Sequence, residues 1–163
     1  MKQSEKNAKL LRIVRTGLMA AMICLLTALL HIPTPNGYIH CGDAVIYLAA
    51  ATLPLPYAVA AAAVGGAMAD FLSGYAAYIL PTFLIKGILA AAFQKVGGEE
   101  LVSRRKVMAC VVCCLITIVG YWAAAVVLYG NPTAQVLETV PANLMQGVGS
   151  ALLYFGIARV VKK

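Results

Sequence analysis

The amino-acid sequence predicts an all-α integral membrane protein, a bundle of about six transmembrane helices with both termini in the cytoplasm. The composition is the first reason, because the 163-residue chain is 62% apolar and only 12% charged. The second reason is that its apolar runs reach the roughly 20 residues that a membrane-spanning helix needs. The placement of the basic residues is the third observation, and it predicts the orientation.

Six apolar segments, separated by Pro, Gly or charged residues, are the predicted spans of a single membrane domain that covers residues 1–163. The second segment is too short to cross a bilayer unaided, so we expect a tilted, half-length or re-entrant helix there. Hydropathy alone leaves four or five crossings as alternatives. The approximate bounds of the six spans are 10–31, 43–54, 56–74, 78–96, 106–129 and 140–160.

The basic residues predict the orientation because Lys and Arg beside membrane spans stay on the cytoplasmic side. The connections 32–42, 75–77 and 130–139 contain no Lys or Arg, as expected for outward-facing loops. The net charge of +7 therefore indicates topology and contact with the lipid bilayer, and nucleic-acid binding is not expected. The three basic groups are Lys2, Lys6, Lys9, Arg12 and Arg15, then Lys95, Arg104, Arg105 and Lys106, and finally Arg159, Lys162 and Lys163.

The sequence lacks the motifs that would indicate an enzyme or an ATPase. It contains no G-x-x-x-x-G-K-[ST] nucleotide-binding loop, no G-x-S-x-G nucleophile elbow and no H-E-x-x-H zinc helix. Its five cysteines are better explained as small packing residues than as metal ligands. We therefore expect no enzymatic activity, no cofactor and no metal. Uphill transport would need an ion gradient or partner subunits.

Three charged residues, Asp43, Asp70 and Lys86, lie within the apolar part of the chain and are the strongest functional indication in the sequence. A charge at helix depth costs at least about 3 kcal/mol by insertion scales, so such residues face a cavity, pair with one another and mark a binding site or ion path. Asp70 on the third span and Lys86 on the fourth are expected to meet as an ion pair. The sequence leaves open whether that pair is structural or contacts a ligand.

Further polar and aromatic residues are predicted to lie at the same level and to form a substrate site. Prolines and glycines in the first outer loop favour an ordered flap. Asn143, Gln146 and Ser150 share one face of the sixth helix, where they could bond neighbouring helices or bind a small heterocycle. The predicted substrate-binding residues are Asn36, Tyr38, His40, Asp43, Asp70, Tyr75, Tyr78, Thr82, Lys86, Trp122, Asn143 and Gln146.

Three motifs lie along residues 10–95 in this order: Ile32-Pro-x-Pro-x-Gly-Tyr-Ile-His-x-Gly-Asp43, Gly65-Gly-x-x-Ala-Asp70-x-x-x-Gly-Tyr and Pro81-Thr-Phe-Leu-Ile-Lys86-Gly. They resemble the motifs of the S components of energy-coupling factor (ECF) transporters. As a set, they are similar to the branch that contains riboflavin and hydroxymethylpyrimidine S components. Residues 106–163 resemble the family only in hydropathy and in the polar sixth helix.

The resemblance implies a six-helix membrane subunit that captures a vitamin outside a prokaryotic cell. Such a subunit docks on a membrane T component and two cytoplasmic ATPases. Its substrate lies near the outer ends of helices four to six, under the first outer loop, and its first three helices face the T component. Small residues of the first helix would form that contact, and here they are Gly17, Ala20, Ala21, Cys24 and Ala28.

The leading hypothesis is thus a substrate-specific binding subunit for ATP-driven uptake of a small water-soluble vitamin or precursor. Two carboxylates against one lysine favour a neutral or weakly cationic ring, such as a pyrimidine or pyridine, over riboflavin. The alternative is a self-sufficient ion-coupled secondary transporter that uses Asp43 and Asp70 as proton sites. A membrane enzyme is a third class, and the absence of a nucleophile–base pair or metal constellation argues against it.

Overall fold

The computed structural model describes residues 2–34 and 37–161, and in this part of the chain it shows a bundle of six α-helices and one β-hairpin. Five helical segments are long and apolar enough to cross a membrane, whereas α2 is short. The predicted all-α membrane bundle is therefore confirmed. The elements are α1 (Lys2–Leu29), β1 (His31–Thr34), β2 (Gly37–His40), α2 (Gly42–Thr52), α3 (Leu55–Leu72), a 3-10 turn (Ala76–Tyr78), α4 (Ile79–Gly97), α5 (Arg104–Tyr129) and α6 (Pro132–Val161).

Two ends of the bundle differ in composition, and we name them by their contents. The hairpin end contains the hairpin, the start of α4 and the start of α6, whereas the basic end contains the start of α1, the start of α5 and the end of α6. Lys95 and Arg159 occupy the last turns of α4 and α6 at the basic end.

The connection after α1, predicted as an ordered flap, is an antiparallel hairpin in which His31 pairs with His40 and Ile32 pairs with Ile39. Side chains alternate between the two faces of a strand. As a result, Tyr38 and His40 face one side of the hairpin and Ile39 faces the other. Residues 35 and 36 lie outside the described part of the chain, and the predicted site residue Asn36 is one of them.

Helix α6 begins earlier than the sequence predicted, at Pro132 instead of near residue 140. Proline suits the first turn of a helix because its missing N–H would have no helical partner there. The side chain of Asn131 also accepts a hydrogen bond from Ala134 N–H (3.2 Å), which caps the new first turn. Most of the segment 130–139 is therefore helical, not an extended connection, and the helix continues through Pro141.

The short helix α2 starts inside the bundle and not at its surface. Asp43, in the first turn of α2, bonds to Lys86, which is the eighth residue of α4 and so lies about 10 Å below the start of that helix. The hairpin thus carries the chain down to this depth before α2 begins. An 11-residue helix of about 16 Å then covers the remaining distance towards the basic end.

Close packing of α1, α3 and α4 depends on small residues in α3. A Cβ atom on Gly65 would lie 2.7 Å from the Ala20 carbonyl oxygen of α1, and one on Gly66 would lie 2.9 Å from Lys86 Cγ of α4. Both contacts are too short for a side chain larger than hydrogen. The two adjacent glycines therefore let α1 approach α3 on one side and make room for the buried lysine on the other.

Candidate substrate-binding site

A cavity of about 60 Å³ lies at the hairpin end, roofed by the hairpin and walled by α3, α4, α5 and α6. A single buried water needs about 10–15 Å³ measured in this way, so the cavity as it stands holds a handful of waters. Its lining residues are Thr27, Tyr38, His40, Asp70, Tyr75, Tyr78, Thr82, Tyr121, Glu138, Thr139, Ala142, Asn143 and Gln146.

Four tyrosines form the aromatic part of the lining. The rings of Tyr38 and Tyr75 are 4.9 Å apart between centroids, and those of Tyr78 and Tyr121 are 6.3 Å apart. The Tyr121 hydroxyl also lies 3.0 Å from Thr82 Oγ1, a hydrogen bond that joins α5 to α4. The site therefore offers flat apolar faces together with hydroxyl groups, which suits a ring that carries polar substituents.

Asp70, near the end of α3, brings a carboxylate to this lining while remaining 95% buried, since its exposed fraction is 5%. Its Oδ1 accepts a hydrogen bond from the Tyr38 hydroxyl at 2.5 Å, which ties the hairpin to α3. Burial, reinforced by the Asp70 carboxylate, raises the pKa of the Tyr38 phenol well above its usual value, so this hydroxyl stays protonated. The other oxygen, Oδ2, has no hydrogen-bond partner among the described residues.

The buried lysine does not pair with Asp70 as the sequence predicted, because its partner is Asp43. Lys86 Nζ lies 2.7 Å from Asp43 Oδ1, and both side chains are about 1% exposed. The descent of the hairpin into the bundle explains the difference, since it places the first turn of α2 directly beside the middle of α4. This pair lies behind the cavity wall, and neither residue is part of the lining.

Gln146 connects this ion pair to the hairpin. Its Nε2 donates to Asp43 Oδ2 (2.7 Å), and its Oε1 accepts from the backbone N–H of His40 (3.3 Å). Both carboxylate oxygens of Asp43 are therefore used, one by Lys86 and one by Gln146. The chain of contacts from α4 through α2 and α6 holds the hairpin in its closed position.

His40 lies at the base of the hairpin, and its imidazole is neutral. Its Nδ1 accepts a hydrogen bond from Gly42 N–H (3.1 Å) and lies 3.4 Å from Thr27 Oγ1. Burial is the main cause that lowers the pKa of the imidazole to about 3; the Lys86 charge acts in the same direction, and the Asp43 charge opposes it. Since Nδ1 is the acceptor, the neutral ring carries its proton on Nε2.

The structure brings most of the predicted binding residues to the cavity. Trp122 is not among the lining residues, because its indole Nε1 donates to the Pro132 carbonyl (3.2 Å) and joins the end of α5 to the start of α6. The lining residues among those predicted are Tyr38, His40, Asp70, Tyr75, Tyr78, Thr82, Asn143 and Gln146.

Sequence reasoning missed several lining residues. Thr139 lies four positions before Asn143 on the polar face of α6, so the same spacing would have found it if the helix had been extended to Pro132. On α5, the aromatic residue that lines the cavity is Tyr121, adjacent to Trp122. Thr27 and Glu138 carried no signal in the sequence that would have selected them. The missed residues are Thr27, Tyr121, Glu138, Thr139 and Ala142.

The small residues of α1 that were predicted to contact a partner differ in exposure. Gly17 and Ala21 are exposed, and a Cβ atom on Gly17 would meet nothing within 4 Å. Ala20, Cys24 and Ala28 are half-buried, and the carbonyl of Ala20 packs against α3. Gly17 and Ala21 therefore lie on the open face of the helix.

Comparison with known proteins agrees with this architecture. Residues 7–163 match the family described as the ECF-type riboflavin transporter, S component. An uncharacterised protein of Pyrococcus woesei, described as lying in the gap 3′ region, is 32% identical over 142 residues, which is 84% of this chain and 92% of the relative. A solved S component of a bacterial ECF transporter shares the fold with a TM-score of 0.78 and 16% identity, over 94% of this chain and 96% of that one.

The fold and the covered cavity are those of a multi-pass membrane protein with a candidate binding site. This chain belongs to the ECF-type riboflavin transporter S component family. Members of the family are substrate-binding components of transporters and not enzymes, and they work with T and ATPase modules in the membrane.

Proposed function

We propose that this protein captures a small water-soluble vitamin or vitamin precursor outside a prokaryotic cell and delivers it to a T component and two cytoplasmic ATPases. The cavity beneath the hairpin is the observation that carries the proposal. It lies at the end of the bundle opposite the basic residues, and positive residues mark the cytoplasmic side. The cavity therefore faces outward when both termini are inside the cell.

The size and chemistry of the cavity favour a single small ring as the substrate. A cavity of about 60 Å³ must enlarge to admit any ring, and a substituted pyrimidine or pyridine requires a smaller enlargement than a three-ring flavin. Asn143 and Gln146 provide amide groups, and Thr82 and Thr139 provide hydroxyls. These groups can donate to and accept from ring nitrogens and exocyclic substituents. A hydroxymethylpyrimidine-like compound is the proposed substrate class.

Riboflavin is the second candidate, because the matching family is described by that vitamin. Its binding would require the hairpin to move outward and enlarge the cavity. Two side-chain contacts oppose that movement, Tyr38 to Asp70 at 2.5 Å and His40 N–H to Gln146 at 3.3 Å. The two candidates therefore differ in how far the cavity must enlarge beneath the hairpin.

The open face of α1 is the proposed contact with the T component. Gly17 and Ala21 leave the helix backbone accessible, and small residues allow two helices in a membrane to approach closely. Contacts of this kind would couple the binding subunit to ATP hydrolysis in its partners. The alternative, an ion-coupled carrier, would use Asp43 and Asp70, yet both oxygens of Asp43 are occupied inside the wall.

The test is to purify the full chain in mild detergent and to identify small molecules that copurify by native mass spectrometry. Titration calorimetry with a hydroxymethylpyrimidine and with riboflavin would then rank the two candidates. We expect the pyrimidine to bind more tightly. Tighter binding of riboflavin would overturn the proposed substrate class, and failure of every water-soluble vitamin to bind would overturn the function.

Reconstitution separates the binding subunit from the carrier. In liposomes with an imposed proton or sodium gradient, the isolated protein should bind the compound without accumulating it. Addition of a T component and ATPases with internal ATP should produce uptake. Concentrative uptake by the isolated chain, driven by the gradient alone, would support the carrier instead.

A further inference from the structure

The residues that line the cavity carry a net negative charge. Among the described lining residues, Asp70 and Glu138 are acidic, and there is no Lys or Arg. Lys86 is near, but its Nζ already contacts Asp43 at 2.7 Å behind the wall. Lys86 therefore balances only one of the two carboxylates, Asp43 and Asp70. The uncompensated negative charge is on Asp70, which lines the cavity.

Asp70 has unused hydrogen-bonding capacity beside the cavity. The Tyr38 hydroxyl satisfies Oδ1, and the Thr82 side chain also lies close to the carboxylate. No hydrogen bond to Oδ2 is formed among the described residues, although the side chain is buried. A buried carboxylate oxygen without a donor is unfavourable. A ligand N–H placed at Oδ2 would remove that cost, and a charged N–H would also balance the charge.

The tyrosines add a second feature that attracts positive charge. Aromatic faces attract cations through the negative potential above the ring. Lys86 Nζ already lies 5.2 Å from the centroid of the Tyr121 ring on the wall side. Tyr38 and Tyr75 form a further aromatic pair next to Asp70, with centroids 4.9 Å apart. A flat ligand between these rings and the carboxylate would be held on its faces and at one edge.

We infer that Asp70 makes the cavity selective for a cationic ring, one whose protonated nitrogen donates to Oδ2 while the tyrosines pack against the ring faces. The inference rests on the proposed function and sharpens it, because it fixes the charge of the substrate in the bound state. Anionic rings are excluded, and neutral rings that only accept hydrogen bonds at this edge bind weakly.

Two ring compounds of matched size test this selectivity without any assumption about the natural substrate. At pH 8, 4-aminopyridine is a cation and 4-methylpyridine is neutral. Calorimetry on the purified full chain should give about tenfold tighter binding of 4-aminopyridine, the size of effect that one charge-assisted hydrogen bond produces. Equal affinities in the wild-type protein would overturn the inference without any variant.

Three substitutions then assign the selectivity to Asp70. Asp70→Asn should reduce the preference for the cation to within about twofold, because the amide keeps the shape and loses the charge. Glu100→Gln removes the same charge from an exposed residue outside the cavity lining, and it should leave the preference unchanged. Glu138→Gln tests the other acidic lining residue, and loss of the preference in that variant but not in Asp70→Asn would overturn the assignment. If the wild-type chain binds no vitamin and no pyridine, the proposed function fails; if it binds rings without discrimination, only this inference fails.

Discussion

The two ends of the bundle each bury a lysine, and they compensate its charge in different ways. At the hairpin end, Lys86 contacts the carboxylate of Asp43 at 2.7 Å. At the basic end, Lys106 donates to the Gly98 carbonyl oxygen at 2.9 Å and lies 4.7 Å from the centroid of Phe93. Gly98 caps the C-terminal end of α4, where a helix attracts positive charge. Lys86 is therefore stabilised by a second buried charge, whereas Lys106 is stabilised by dipoles and an aromatic face.

Aromatic residues differ between the two ends in the same way. Towards the basic end, Tyr47 and Phe93 stack with centroids 4.5 Å apart, and Tyr154 meets Phe93 edge-on at 5.0 Å, so the rings fill the core. At the hairpin end, tyrosines such as Tyr38 and Tyr121 line a cavity instead. The comparison indicates that one end is built for stability and that the other leaves polar and aromatic groups available for a ligand.

The largest effect is expected from removal of the Lys86 charge. Lys86→Met leaves Asp43 buried without its cation, and loss of one partner of a buried pair costs about 3–5 kcal/mol. Lys106→Met is the matched substitution at the basic end, and it should cost less, about 1.5–3 kcal/mol, because it removes a hydrogen bond from the ammonium to a neutral carbonyl and leaves no unpaired charge behind. Thermal unfolding in detergent measures both.

A double substitution controls for damage to packing. Lys86→Met combined with Asp43→Asn removes both charges, so it should be more stable than Lys86→Met alone. If the two single lysine variants unfold at the same temperature, the proposed difference is wrong: Lys86 would then not depend on its carboxylate partner more than Lys106 depends on a carbonyl and an aromatic ring.

The second effect is a loss of stability in acid that belongs to His40. Its pKa is about 3 in the folded protein against an ordinary 6.5, so the unfolded chain binds a proton that the folded chain does not between these values. Stability from this residue is therefore complete above pH 6.5 and decreases as the pH falls towards 3, by about 1.4 kcal/mol per pH unit. The difference in unfolding temperature between wild type and His40→Gln, followed across this range, isolates the contribution from other groups. A difference that does not change with pH would contradict the buried neutral imidazole.

A smaller effect is expected from Tyr38→Phe, which keeps the ring and removes the hydroxyl that binds Asp70. The hairpin loses one hydrogen bond to α3, worth about 1 kcal/mol, so a bound ligand should dissociate roughly fivefold faster. Stopped-flow measurement of ligand release tests this. Tyr154→Phe removes a hydroxyl that donates to the Leu101 carbonyl at the basic end, and it should not change the dissociation rate.

The sequence predicted the class of fold because apolar length and basic flanks are properties of single segments. It also selected Asp43, Asp70 and Lys86, since charges inside apolar stretches are conspicuous. It assigned the wrong partner to Lys86, because that partner depends on the depth at which α2 starts. That depth is set by the descent of the hairpin, a tertiary feature that periodicity along the chain does not record.

The rest of the site shows the same limit. The choice between Tyr121 and Trp122 depends on the rotation of α5 about its own axis, and neighbouring residues of a helix point about 100° apart. Trp122 turns to the Pro132 carbonyl, and Tyr121 turns to the cavity. To predict that Thr139 lies on α6, one would have had to recognise that the helix begins at Pro132. Local rules of helix capping were sufficient to place Thr139 on α6. They could not decide between Tyr121 and Trp122 on α5.

The smallest effect on the isolated protein is expected from substitutions on the open face of α1, far from the cavity. Ala21 is exposed there, so Ala21→Trp should leave ligand affinity and unfolding temperature unchanged. It should nevertheless prevent assembly with a T component, because a bulky residue holds an approaching helix away. Val119→Trp, on an exposed position of α5, is the matched control and should assemble normally. Copurification of ATPase subunits measures assembly, and calorimetry on the same preparations measures ligand binding. Together they distinguish the role of the open face of α1 from that of the cavity. Equal assembly of the two variants would remove α1 from the proposed contact, whereas loss of ligand binding in Ala21→Trp would show that the two regions are not independent.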